Sequence, residues 1–320
     1  MEAVTGQVPA VLIIANPTAG YHQPAWREPV TRILSQLGQV DVVTAESPEG
    51  TTAAARAAED RGVKLVVAAG GDGTVHRVVN GLRSVDTHLG ILPVGTGNDL
   101  AFHLGVPPVP EDAARAMLSE TFRDIDVIRF NGRRVFTSGI FCAIAEAAYL
   151  ANRMKARRPW LGSLVYRLAA AQIIATRGGE AVAGVFVANM PRLGGNLRLP
   201  SGSVIDDGLC EVATLRGGRV RLTRTLLALS LDRALRHGEL TWQRVSETML
   251  EFESEVMAFG DGEDLGMGRA FHAVVEPAAV RVRCPRIVSA EGTFVLAEDQ
   301  AAIRAVAGSF NTASSTRSRQ

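Results

Sequence analysis

The sequence predicts a three-layer α/β domain built on a parallel sheet, followed by an all-β sandwich domain. Two observations carry that reading. Up to about residue 130, short apolar runs alternate with helical segments, and such alternation implies a parallel sheet covered on both faces. Beyond that point, short strands sit between Gly-, Asn- and Asp-rich turns, the spacing of an antiparallel sandwich.

Taken in order, Val11–Ala15 is an apolar run closed by Asn16-Pro17 and reads as a strand. A helix is expected over 24–37, ending at Gly38, and a second strand over Val40–Val43. Thr51–Arg61 is alanine-rich and helical, and Lys64–Ala69 is a third strand, cut off by Gly70-Gly71. Val75, Val78, Val79 and Leu82 follow the i, i+3, i+4, i+7 rule, so a helix starts directly after those glycines. Leu89–Val94 is a fourth strand, ended by Gly95-Thr96-Gly97. Asn98 and Asp99 are good N-caps for a helix that ends at Gly105. In the second half, strands are expected at Ile125–Phe130, Arg134–Gly139, Val182–Ala188, Leu209–Thr214, Thr248–Phe252, Val256–Ala258, Arg269–Val275 and Val280–Val282. Helices are expected over 143–176, broken at Pro159, and over 222–237. An apolar stretch Gly292–Ala297 and a helix Asp299–Ala307 precede a polar tail, 311–320, that reads as disordered.

A chain of 320 residues with 47% hydrophobic and 21% charged residues is long enough for two cores. Its 34 basic and 33 acidic residues leave a net charge of +1, so no global field draws it to nucleic acid, and no nucleic-acid partner is expected. Cys142, Cys210 and Cys284 are far apart, with no CxxC, so buried reduced thiols are expected rather than a disulfide framework or a zinc cluster. No signal-peptide pattern opens the sequence, and no apolar run approaches the roughly 18 residues of a membrane span. The expectation is a soluble or peripheral protein.

The strongest chemical signal is Gly70-Gly71-Asp72-Gly73-Thr74, between a strand and an amphipathic helix. Glycines allow a sharp turn and a close approach of backbone to ligand, and the helix N-terminus offers free N–H groups to phosphate. No Gly-Lys-Ser/Thr follows, so this is not a Walker A loop. His76 holds the third glycine position of the dinucleotide fingerprint, so it is not that either. A bare Asp72 beside phosphate is repelled unless a divalent cation or water lies between; the alternative is a tight turn with Asp72 as a helix cap. Pro93–Asp99 ends the next strand in the same setting, and Asn16–Gly20 ends the first. All three loops therefore leave the carboxyl edge of the sheet, where ligands bind.

These motifs resemble the diacylglycerol kinase catalytic family, which includes sphingosine kinases and bacterial lipid kinases. Ile125-Asp126-Val127, Ser201–Leu209 with Asp206-Asp207-Gly208, Asp261-Gly262-Glu263 and Glu276–Val282 also match, so the resemblance covers roughly residues 10–290. It implies an NAD kinase/phosphofructokinase-like nucleotide domain over 1–130, with 288–310 returning to it. It also implies a lipid-substrate β-sandwich over 131–287, with ATP in the cleft between the two. On the same ground the nucleotide contacts are Asn16, Pro17, Thr18, Ala19, Gly20, Thr44, Gly70, Gly71, Asp72, Gly73, Thr74, Val75, His76 and Thr96. A magnesium-linked water network would use Asp72, Asp99 and Asp126. A second, structural metal would be held by Val204, Asp207 and Leu209, the first and last through backbone carbonyls; the alternative there is a plain Asp-Gly turn. The catalytic set is Asp72, Asp261 and Glu263, with Glu263 as the proton acceptor in a shielded, partly apolar site and Asp261 orienting the turn.

The implied reaction is transfer of the γ-phosphoryl group of ATP, with Mg²⁺, to a hydroxyl of a membrane lipid such as diacylglycerol. The implied place is the cytoplasmic face of the membrane, bound peripherally, and a homodimer is compatible with the sequence. One local feature agrees: Asn152–Arg167 combines Arg153, Lys155, Arg157 and Arg158 with Trp160, Leu161, Leu164, Val165 and Tyr166, a pairing that suits the headgroup–acyl boundary. An amphipathic helix packed on the sandwich is the alternative. At the level of function, the alternatives are a soluble NAD kinase-like enzyme, which shares the Gly70–Thr74 loop, and a catalytically silent nucleotide-binding module.

Overall fold

The computed structural model describes residues 8–17, 24–95, 97–158, 160, 164–177, 182–190, 192–193, 197–198, 203–216, 218, 220, 223–224, 240–285, 287–290 and 293–296. The parallel core is formed by β1 (Val11–Ala15), β2 (Val40–Thr44), β3 (Leu65–Gly70) and β4 (His88–Pro93), in the order β2-β1-β3-β4. β1 and β3 are apolar and buried along their whole length, as a strand covered on both faces must be.

The covering helices are α1 (Arg27–Leu34), α2 (Pro48–Asp60), α3 (Asp72–Gly81), α4 (Asp99–His103) and α5 (Pro110–Ala116). α2 starts three residues earlier than its alanine run suggests. Ser47 accepts from Gly50 N–H at 3.0 Å, and Pro48 at the first helical position is preset for the turn. α5 was not expected from the sequence. It is one short alanine-rich segment opened by Pro110, and it buries only Ala113 and Ala114.

The second half contributes β5 (Phe122–Phe130), β6 (Arg133–Val135), β7 (Ser138–Phe141), α6 (Ala143–Arg157), α7 (Leu164–Arg177), β8 (Val182–Ala188), the two-residue strands β9 (Arg192–Leu193) and β10 (Leu197–Arg198), β11 (Cys210–Arg216), β12 (Leu240–Val245), β13 (Glu247–Gly260) and β14 (Glu263–Arg283). The expected strand Arg134–Gly139 is two strands, because Phe136 and Thr137 turn their N–H groups to Asp261 between them. The four strands expected between residues 248 and 282 are instead two long ones, β13 and β14, joined by Asp261-Gly262. Asp261 and Gly262 both have positive φ (51° and 85°), and Gly260 pairs with Glu263. This is the two-residue hairpin turn that Asp-Gly favours. The expected helices 222–237 and 299–307 and the tail lie outside the described residues, apart from 223–224.

β14 holds the two halves together. Its first half pairs with β13 and its second half with β5, and Val282 near its end pairs in parallel with Leu89 of β4. One 12-stranded mixed sheet results. Val280, Val282 and Cys284 belong to the first core, beside β1, β3 and β4. The chain therefore re-enters the first domain before residue 288, while β15 (Ile287–Ala290) and β16 (Thr293–Leu296) pair with each other. A separate core, around Phe130, Phe141 and Phe271, fills the sandwich; the Phe141 and Phe271 rings are 5.0 Å apart. Burial raises the thiol pKa of Cys210 to about 12 and that of Cys284 to about 11, so both are inert thiols.

Candidate active site

The loops that follow β3 and β4 touch backbone to backbone. A Cβ on Gly95 would overlap Gly71 Cα, so a side chain at residue 95 would force them apart. Asn98, in the left-handed region at φ 59°, holds the second loop. Its amide donates to the carbonyls of Pro93 (3.3 Å) and Gly95 (2.9 Å), and its Oδ1 accepts from Gly95 N–H. Asn98 thus caps its loop rather than its helix. A free amide of α4 is served from the neighbouring loop: Leu100 N–H donates to Asp72 Oδ1 at 3.4 Å.

Asp72 therefore stands between the two glycine loops. Burial raises its pKa above the usual aspartate value; the N–H groups of Asp99, Leu100 and Asn98 oppose the shift, and the charge of Asp261 adds to it. A desolvated carboxylate between two glycine loops suits a divalent cation held directly or through water. Asp99 is buried in the first turn of α4. Among the described residues, no three His, Cys, Asp or Glu side chains converge on a point that could hold a metal directly.

The helix α3 forms the seam with the second domain. His76 is buried, and its Nδ1 lies 3.0 Å from Asp261 Oδ2. Asp261 also accepts from Phe136 N–H, Thr137 N–H and Thr137 Oγ1–H. With Nδ1 donating, Nε2 is left to accept from Asn80 Nδ2, 3.3 Å away. One residue further on, Arg77 Nη2 donates to Glu263 Oε1 at 2.6 Å. A Cβ on Gly73 would meet Glu263 Oε1 at 2.9 Å, so this carboxylate lies over the Gly70–Thr74 loop. The site is not apolar as expected: Arg77 occupies it, and the Glu263 side chain is 31% exposed. At the outer edge of the sheet, Arg27 donates to Thr44 Oγ1 at 3.1 Å.

Residues 10–130 match the model of the diacylglycerol kinase catalytic domain, and residues 140–284 match the YegS C-terminal NAD kinase beta sandwich-like domain. The chain thus carries a diacylglycerol kinase catalytic domain followed by a YegS-type C-terminal domain. It is 27% identical over 298 residues to "Probable lipid kinase YegS" of Salmonella newport, covering 87% of this chain and 96% of that one. It is 35% identical over 168 residues to "Diacylglycerol kinase" of Bacillus subtilis, covering 49% and 52%. A diacylglycerol kinase structure from Bacillus anthracis superposes with a TM-score of 0.66 at 18% identity, covering 86% and 96%, which shows the fold.

Several residues named from the family resemblance have other contacts in this structure. Thr18, Ala19, Gly20 and Thr96 lie outside the described residues. Asn16 donates to Thr74 Oγ1 at 3.3 Å, and Pro17 beside it is exposed. The Val75 side chain is in the core, so only its backbone faces the loop. Both oxygens of buried Asp126 accept backbone N–H groups, from Gly208 (2.6 Å) and Ala278 (2.8 Å), which joins β5 to the 205–208 turn and to the bulge of β14. The second cation does not fit. Asp207 Oδ1 accepts from Leu209 N–H, Oδ2 accepts from Arg244, and Arg244 brings a positive charge to the expected place. Arg27, Arg77 and Arg244 were not singled out from the sequence; each has its partner on a different element.

Asp261→Asn should cost about 1–3 kcal/mol of stability, because an amide cannot serve four surrounding donors and its NH₂ must face at least one of them. Thermal unfolding checks this, and a melting temperature equal to that of the wild type would refute it.

Proposed function

We propose that this chain transfers the γ-phosphoryl group of ATP to a hydroxyl of a membrane lipid such as diacylglycerol. The observation that carries the reading is the placement of Glu263 from the second domain over Gly73 of the phosphate loop. That arrangement would put a proton acceptor beside the atom to be transferred, and the lipid-kinase names of the relatives support the acceptor class. The loop amides of Gly71–Gly73, at the N-terminus of α3, would cradle phosphate. Glu263 would orient the acceptor hydroxyl and take its proton as the oxygen–phosphorus bond forms. Asp72 would hold Mg²⁺ through water, and that ion when bound neutralises charge on the phosphates. His76 and Asp261 fix the turn that carries Glu263.

Membrane contact through α6, α7 and their junction is part of the same proposal. Trp160 is 79% exposed, and Leu164 and Leu168 follow at helical spacing, also exposed. Arg153, Arg157 and Arg158 are exposed alongside, while Val165 is turned into the contact with α6. Among the described residues no helix is long and apolar enough to cross a membrane. Replacing Arg157, Arg158 and Trp160 together should weaken binding to anionic vesicles about ten-fold or more, since each basic residue near such a surface contributes about 1 kcal/mol. Vesicle sedimentation at two salt concentrations tests this; binding indifferent to salt and to the triple change would remove the surface from consideration.

The direct test of the reaction is transfer of label from γ-labelled ATP into a total lipid extract. Label in a lipid phosphate supports the proposal. Label found instead on a soluble nucleotide such as NAD would replace it, and no transfer would leave a silent nucleotide-binding module.

A further inference from the structure

We propose that Arg77 is a phosphate-contacting residue of the transfer step, one that holds Glu263 in the resting site and moves to the transferred phosphoryl group when ATP and acceptor are bound. The proposal rests on the kinase reading above. Arg77 lies on the second turn of α3, and its guanidinium bonds Glu263 across the domain seam at 2.6 Å. Both groups overhang the phosphate turn: a Cβ on Gly73 would meet Glu263 Oε1 at 2.9 Å and Arg77 Nη1 and Nη2 at 3.8 and 3.9 Å.

Stability does not explain this arginine. The pair is partly buried, with side-chain exposures of 20% and 31%, and a single ion pair still within reach of solvent contributes modestly. An anion does explain it. The terminal phosphate of ATP offers several charged oxygens to a forked guanidinium, which grips phosphate better than a single carboxylate oxygen does.

The geometry allows an exchange of partners. Arg77 bonds Oε1 of Glu263 and leaves Oε2 open to the acceptor hydroxyl; when the guanidinium moves to the phosphoryl group, both carboxylate oxygens are free to accept. As the bond from the acceptor oxygen to γ-phosphorus forms, the bond from γ-phosphorus to the bridging oxygen breaks, and its electron pair leaves on ADP. The acceptor proton passes to Glu263, while the guanidinium sits on the phosphoryl oxygens. The bond between His76 and Asp261 fixes the neighbouring backbone, so the exchange is a motion of the Arg77 side chain.

Arg77→Met is expected to lower kcat about 10²–10³-fold and to change KM for ATP by no more than about three-fold, the pattern of a contact made in the transition state. The deciding measurement is Arg77→Met combined with Glu263→Gln. If Arg77 only positions Glu263, the second change costs nothing further. If Arg77 contacts the phosphoryl group, the two losses multiply. Guanidinium ion added to Arg77→Met should restore part of the rate, and ADP with aluminium fluoride should raise the melting temperature of this variant less than that of the wild type. A double variant no slower than Glu263→Gln alone, or an Arg77→Met enzyme within about three-fold of wild-type kcat, would overturn the proposal. If Arg77→Met fails to fold, Arg77→Lys takes its place; it keeps the charge, loses the fork and should also reduce kcat. A wild-type protein that phosphorylates no lipid would refute the lipid-kinase reading instead.

Discussion

Glu263→Gln should lower the rate of lipid phosphorylation by about 10²–10⁴-fold, the usual cost of removing a general base, with ATP affinity little changed. Glutamine keeps an oxygen that Arg77 can still donate to, so the resting geometry over Gly73 survives while the proton acceptor is lost. In the proposed reaction ATP affinity would belong to the glycine loops, which Glu263 does not build. Asp261→Asn is the contrasting variant: its carboxylate is buried and engaged by His76, Phe136 and Thr137, so its loss should show first in the melting temperature and only secondarily in rate. Initial rates on diacylglycerol-containing vesicles, with ATP binding read by thermal shift, separate the two. If Glu263→Gln runs at the wild-type rate while a folded Asp261→Asn is inactive, their roles must be exchanged. If both remain active, the proton acceptor lies elsewhere.

The readability of this site follows the range of the interactions involved. The phosphate loops were legible because their demands are local. A close approach such as that of Gly95 to Gly71 requires glycine, and a helix that starts at Asp72 declares itself by Val75, Val78 and Val79. The Asp261-Gly262 turn was legible for the same reason. Contacts that join distant segments were not. Nothing near Asp126 announces that Gly208 and Ala278 will take its two oxygens, and nothing near Asp207 announces Arg244. Arg77 left one trace: it lies one turn after the Gly70–Thr74 loop on a valine-lined helix. The strand bounds failed where β13 and β14 run long, because the polar residues between the apolar runs, Glu253–Glu255 and Glu276–Pro277, read as turns. In the structure they are tolerated at half-exposed or exposed positions of continuous strands.

Asp72→Asn should reduce kcat/KM by about 10²–10³-fold, the scale of losing one preorganised electrostatic contact, and should also make the ligand-free protein more stable at neutral pH. The second effect follows from the direction of the pKa shift. Burial raises the Asp72 carboxyl above its ordinary value of 3.8, so the folded state holds that proton more tightly than the unfolded chain does. The stability that this carboxyl lends is therefore fully present below pH 3.8 and is lost as pH rises through the higher folded value. Above that value, a desolvated charge is a cost borne by the empty enzyme, and an uncharged asparagine removes it. Its Oδ1 can still accept from Leu100 N–H, so the contact between the two glycine loops is kept. Melting temperatures measured from pH 4 to 8 without ligand should show the variant gaining on the wild type as pH rises, with little difference at the acid end. Magnesium and ATP together should reverse the order, because they stabilise the wild type by binding and the variant far less. A ligand-free stability difference that does not vary with pH would show that the buried charge is not the cause. Near-normal turnover of the variant at saturating magnesium would show that Asp72 has no part in holding the ion, and the cation would then have to be sought among other residues of the cleft.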